Sequence, residues 1–159
     1  NGHILGARQH WRGARRLGVP LLVTEHYPKG IGPTVASLAG LCTPGERVGK
    51  IHFSCVDEPG VRDVLSLLAP RRQAVLCGIE AHVCVLQTTL DLLAGGRLPF
   101  LCTDCISAGQ ATQIAPAMQR MQTAGATPTG TLSAIYELLG DATHPSFKAC
   151  LELVKGIRA

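Results

Sequence analysis

The chain has 159 residues, 46% of them hydrophobic and 16% charged, with a formal net charge of +4. That balance excludes intrinsic disorder and suits one domain with a core of its own. The longest apolar runs, 19–23 and 74–77, are far too short to span a bilayer, and no stretch reads as a secretory signal.

Residues 3–17 read as a helix, with Ile4, Ala7, Trp11, Ala14 and Leu17 on one stripe and Gly18 ending it. Arg8, Arg12, Arg15 and Arg16 gather on one side of that helix. A solvated face is the plain reading, and a nucleic-acid-binding face is its rival. No aromatic interleaving or nucleic-acid motif accompanies these arginines. Residues 19–24 look like a strand covered on both faces, with Pro20 tolerated only near its start.

The stretch 25–40 holds His26, Tyr27, Lys29, Gly30 and Gly32, a glycine- and proline-rich loop directly after a strand. Such loops line the crevice of an open α/β sheet. Neither a GxGxxG motif nor a P-loop is present. Residues 42–58 read as irregular, with Lys50 and the run His52-Phe53-Ser54-Cys55 inside. Further helices are predicted at 59–68, 83–94, 107–123 (with Pro116 as a kink or boundary), 132–139 (capped by Thr131) and 147–154. Strands are predicted at 74–77, 98–103 and 126–129.

The alternation predicts an α/β domain: a doubly wound, mostly parallel sheet with helices on both faces. A helix–Gly–strand opening implies a strand before it, so the chain reads as one N-terminally incomplete domain over 1–159, without internal repeats. The seven cysteines are irregularly spaced and fall partly inside predicted elements, which suits free thiols in a reducing compartment. Cys102 and Cys105, in CTDC, have the local spacing of a zinc or redox pair. No second pair follows, so a metal there needs distant partners.

Cys84 stands at the predicted start of the helix 83–94. Unpaired N–H groups and the positive end of the helix dipole favour a thiolate at that place. A buried core cysteine is the competing reading. His82 is open to three readings: an outer hydrogen-bond donor, a substrate contact or a polar helix-start residue. Asp104 orients a loop or caps through 104–107.

The segments TEHYPKGIGPTV (24–35), KIHFSCV (50–56), LCGIEAHVCVLQTTLDLL (76–93) and TLSAIYELLGDATHPSFK (131–148) resemble the isochorismatase-like cysteine hydrolases, and within them the isochorismatase domain-containing proteins. The resemblance implies a six-stranded parallel sheet and an Asp–Lys–Cys triad, with Cys84 as nucleophile and Lys50 as its lysine. It implies a non-proline cis peptide at Ile79–Glu80 that aims the N–H groups of Val83 and Cys84 at the substrate oxygen. It places the aspartate at the end of a first strand that this sequence lacks, and a chain without that strand is expected to expose two strand edges. His26, Tyr27, His82 and Phe53 are expected to rim the pocket, with residues 128–134 closing it.

The expected function is hydrolysis of a small amide-, imide- or ester-like substrate through a covalent cysteine intermediate. A catalytically weak scaffold acting through protein contacts is the alternative, and a nucleic-acid-associated protein is the second. No cofactor is expected, and no metal, because the Asp/His/His set of the related nicotinamidases is not apparent. A homo-oligomer is expected, with the methionine-bearing helix 107–123 as a candidate surface and core packing as an equal explanation of its methionines. The compartment is expected to be cytoplasmic, or mitochondrial should a eukaryotic targeting segment precede residue 1.

Overall fold

The computed structural model describes residues 2–156. Strands β1 (Val23–His26), β2 (Arg47–Lys50), β3 (Gln73–Gly78), β4 (Leu98–Ile106) and β5 (Thr127–Thr129) occur in it. Around them lie helices α1 (Gly2–Arg16), α2 (Pro28–Ile31), α3 (Ala36–Ala39), α4 (Pro59–Leu67), α5 (Leu86–Ala94), α6 (Ile114–Thr123), α7 (Thr131–Leu139) and α8 (Phe147–Lys155). Every ladder is parallel: β1 with β2, β3 with β4, and β4 with β5. The α/β class and parallel pairing follow the alternation seen in the sequence.

The strands form two sheets, ordered β1-β2 and β3-β4-β5. β1 and β3 share no ladder, so the two strand edges expected to stand open are both unpaired among the described residues. Apolar packing joins the two sheets instead. Trp11 of α1, Val23 of β1 and Cys42 form one cluster, and Cys77 of β3 packs against it. A second core lies under β4, where Leu101, Ile106 and Met121 are at most 1% exposed. Ile135, Leu139 and Cys150 make a third between α7 and α8.

Four local readings need correction. β1 starts at Val23, not residue 19, because the chain first turns through Gly18 at φ +63° and Pro20 has no N–H for a ladder. β2 falls in the stretch read as irregular; its four residues RVGK hide a strand behind two cations and a glycine. β4 runs on to Ile106 through a bulge. The helix read as 107–123 begins only at Ile114, which puts Pro116 in its first turn, where proline is tolerated. Met118 and Met121 of that helix face the core, so the methionines do not mark an oligomer surface.

Leu101 is fully buried in the middle of β4. Leu101→Ala is expected to cost about 2–5 kcal/mol in a urea denaturation, with little change in m-value.

Candidate active site at Cys84 and Lys50

Parallel register sets His26 directly opposite Lys50 at the ends of β1 and β2. Lys50 is 4% exposed. Its ammonium donates to the carbonyls of His52 (2.8 Å) and Phe53 (3.0 Å) and to Cys84 Sγ (3.5 Å). Nζ also lies 3.5 Å from His26 Nδ1. Among the described residues no carboxylate pairs with it. A buried ammonium without a counter-anion costs roughly several kcal/mol. Two carbonyls offset part of that, and a thiolate at Cys84 would supply the missing negative charge.

Cys84 reaches Lys50 through an unusual turn. β3 ends on Gly78 at φ +133°, a conformation that strains any side chain. The Ile79–Glu80 peptide is cis, as the resemblance implies. Ala81–Val85 then form a wide π-helical turn that leads into α5, with Val85 N–H on Glu80 O at 3.2 Å. Cys84 thus sits inside that turn and not in the first turn of a regular α-helix. The Val83 N–H donates to Glu80 O (3.1 Å), so this turn engages it internally and does not leave it open toward a substrate.

The turn is fixed from one side by the segment after β4. Ser107 N–H donates to Gly78 O (3.1 Å), Ala81 N–H donates to Ser107 O (2.9 Å), and Gly109 N–H donates to Glu80 Oε2 (2.7 Å). Glu80 therefore holds a neighbouring loop. Ile79 is 66% exposed on the same turn. Phe53 stacks on His26 with ring centroids 5.4 Å apart, and Tyr27, at φ +43°, donates its N–H to Lys50 O (2.7 Å). His26, Tyr27 and Phe53 are thereby gathered around Lys50. His82 lies half-buried in the turn, and its Nδ1 has no hydrogen-bond partner among the described residues.

Other residues of the site had no separate signal. Thr88 of α5 accepts the Cys55 N–H (2.9 Å), and Thr24 Oγ1 of β1 lies 3.3 Å from Cys55 Sγ. These contacts run across the two sheets beside the Lys50–Cys84 bond. Nothing in the sequence named Cys55 as the partner of Thr88. Asp104 does not cap 104–107; it orients the chain entering α7, both its oxygens accepting the Thr131 N–H (3.0 and 3.2 Å). Residues 128–134 accordingly attach to β4 through Thr131. Burial pushes the Cys77 thiol up to about 11, which keeps it protonated and inert.

The family model for the isochorismatase domain matches residues 4–133. The chain belongs to the isochorismatase family. Human isochorismatase domain-containing protein 2 is 41% identical over 143 residues, covering 89% of this chain and 67% of the human one. Isochorismatase domain-containing protein 1 of Salmo salar is 38% identical over 159 residues, covering 97% of this chain and 54% of its own. Among solved structures, the MAR1 ribonuclease of Caenorhabditis elegans superposes with a TM-score of 0.90 at 37% identity, covering 97% of this chain and 79% of that one. The Escherichia coli YcaC product, described as an octameric hydrolase of unknown specificity, shares the fold at 20% identity and a TM-score of 0.89, covering 98% and 76%. No helix among the described residues is long and apolar enough to cross a membrane.

Glu80→Ala removes the charged acceptor of the Gly109 amide. Hydrogen exchange at Gly109 is expected to rise about tenfold or more, with exchange in β5 unchanged.

Proposed function

We propose that this isochorismatase-family chain is a hydrolase in which Cys84 attacks a small amide-, imide- or ester-like substrate. The observation that carries this reading is the buried Lys50 ammonium 3.5 Å from a half-buried Cys84 sulfur. A cation in that position favours the thiolate, which is the nucleophilic form. Cys84 Sγ bonds to the carbonyl carbon, the C–N or C–O bond breaks, and the leaving group departs with a proton. Water then cleaves the thioester, releasing the acid and restoring the thiol. The aspartate that the resemblance assigns as proton acceptor is not among the partners of Lys50 and Cys84 in the described residues. The proposal therefore stands on the Lys50–Cys84 pair.

The open apolar side chains of Tyr27 (52%), Phe53 (52%) and Ile79 (66%) support a pocket for a small, partly apolar molecule. Val83 and the Cys84 N–H keep a role as oxyanion donors only if the turn reorients its Val83 amide on binding. His26 and His82 line the pocket without an assigned proton step. No cofactor enters this chemistry. Self-association with a second copy is part of the proposal, supported by the octamer described for the Escherichia coli protein.

A second reading follows from the Caenorhabditis elegans relative, described as a ribonuclease. Arg12 and Arg16 of α1 are exposed, but Arg15 is tied to Glu46 and to Leu41 O, which leaves a weaker basic face than four free arginines. Salt-sensitive RNA binding that survives Cys84→Ala would favour this reading.

The test of the hydrolase reading is alkylation. At neutral pH, iodoacetamide is expected to modify Cys84 ahead of the other cysteines, and Lys50→Met is expected to slow that reaction about tenfold or more. Equal rates in the two proteins would remove the basis for a Lys50-activated nucleophile.

A further inference from the structure

The buried side of β4 gathers a second set of reactive side chains. Leu76 of β3 pairs with Leu101, yet Gly78 pairs with Ile106, so β4 bulges between Leu101 and Ile106. Residues three apart on a regular strand point to opposite faces. The bulge brings Cys102 and Cys105 to one buried place, at 0% and 2% exposure. Asp104 turns its carboxylate back on both: Oδ1 lies 3.2 Å from Cys102 Sγ and 3.7 Å from Cys105 Sγ. From α1, His10 brings Nδ1 to 3.9 Å from Cys102 Sγ. Gly6, one turn earlier, permits that approach, because a Cβ there would stand 2.9 Å from Cys105 Sγ.

We propose that Cys102, Cys105 and Asp104, with His10 beside Cys102, form a binding site for a thiophilic divalent cation of the zinc type. Two thiolates, an imidazole and a carboxylate are the ligand types such an ion selects. With zinc–ligand bonds of about 2.0–2.3 Å, the edges of the coordination tetrahedron measure about 3.3–3.8 Å. The contacts of 3.2 and 3.7 Å lie close to those edges, and the donor atoms of Cys102, Asp104 and Cys105 fall within 4.8 Å of one another, while His10 Nδ1 meets Cys102 alone, at 3.9 Å. Thr131 supplies the outer contacts: its N–H holds both carboxylate oxygens, and its hydroxyl lies 3.4 and 3.1 Å from the two sulfurs. The ion displaces the two thiol protons to solvent and binds the resulting thiolates. The spacing CTDC lacked distant partners in the sequence; the fold supplies one from 92 residues away. The cluster meets α1 through His10 and α7 through Thr131, so its role is to pin these helices to β4.

The test uses the tag-free, reduced chain titrated with Co(II). One equivalent is expected to give an intense thiolate-to-cobalt charge-transfer band with tetrahedral d–d absorption, displaced by zinc, and zinc is expected to raise Tm. Cys102→Ser and Cys105→Ser are expected to lose the band, His10→Ala to weaken Co(II) binding about tenfold or more, and Cys84→Ser to leave it intact. A folded wild-type chain with neither the band nor a zinc-dependent Tm overturns the proposal. So does a band that persists in Cys102→Ser, or one lost in Cys84→Ser. Should the serine variants fail to fold, Asp104→Asn decides: unchanged Co(II) affinity in that variant overturns the assignment.

Discussion

The ammonium of Lys50 is the charge on which the site depends. It is almost fully removed from water, and it ends β2 in one sheet while touching a sulfur that follows β3 in the other. Hydrogen bonds to His52 O and Phe53 O fix its direction, so the segment after β2 has to curl back over the side chain. Its remaining contacts are the His26 imidazole and the Cys84 sulfur, each at 3.5 Å. A negative charge placed in this arrangement would offset the cost of burying the ammonium. A nearly buried cation beside a sulfur is the electrostatic feature on which the proposed chemistry rests.

That contact requires the Cys84 turn to stay in register with β2. The two sheets have no ladder between them, so the register rests on side chains: Trp11 and Cys77 in the shared apolar cluster, and the run Thr24–Cys55–Thr88 next to it. On the far side of the turn, Glu80 and Ser107 fasten it to the segment after β4. Cys84 is thus held between a cation on one side and a clamp on the other, with the apolar side chains of Tyr27 and Phe53 left open near Lys50. A small molecule entering there meets a charged centre with apolar walls.

Much of the frame was legible in the sequence, and for physical reasons. The Trp11 stripe of α1 and the Leu86–Leu90–Leu93 stripe of α5 carry helical periodicity that survives single-sequence reading. The apolar run before Gly78 marks a buried strand in the same way. Lys50 was legible only by resemblance, since its strand has four residues and two cations and sits in a stretch without alternation. The pairing of His26 with Lys50 is a matter of register, which no local pattern encodes. Likewise the bulge in β4 could not be read, so CTDC looked like an isolated pair until the fold brought His10 to it. The π-helical turn was missed because its sequence, AHVCV, differs little from the opening of an ordinary helix.

Trapping the covalent intermediate tests the central claim most directly. A panel of small amides and esters would be incubated with the protein, quenched in acid and analysed by intact-mass and peptide mass spectrometry. An acyl adduct on Cys84 that decays with release of the acid, and is absent from Cys84→Ala, is the result predicted. An adduct confined to other cysteines, or product formation undiminished in Cys84→Ala, would contradict it.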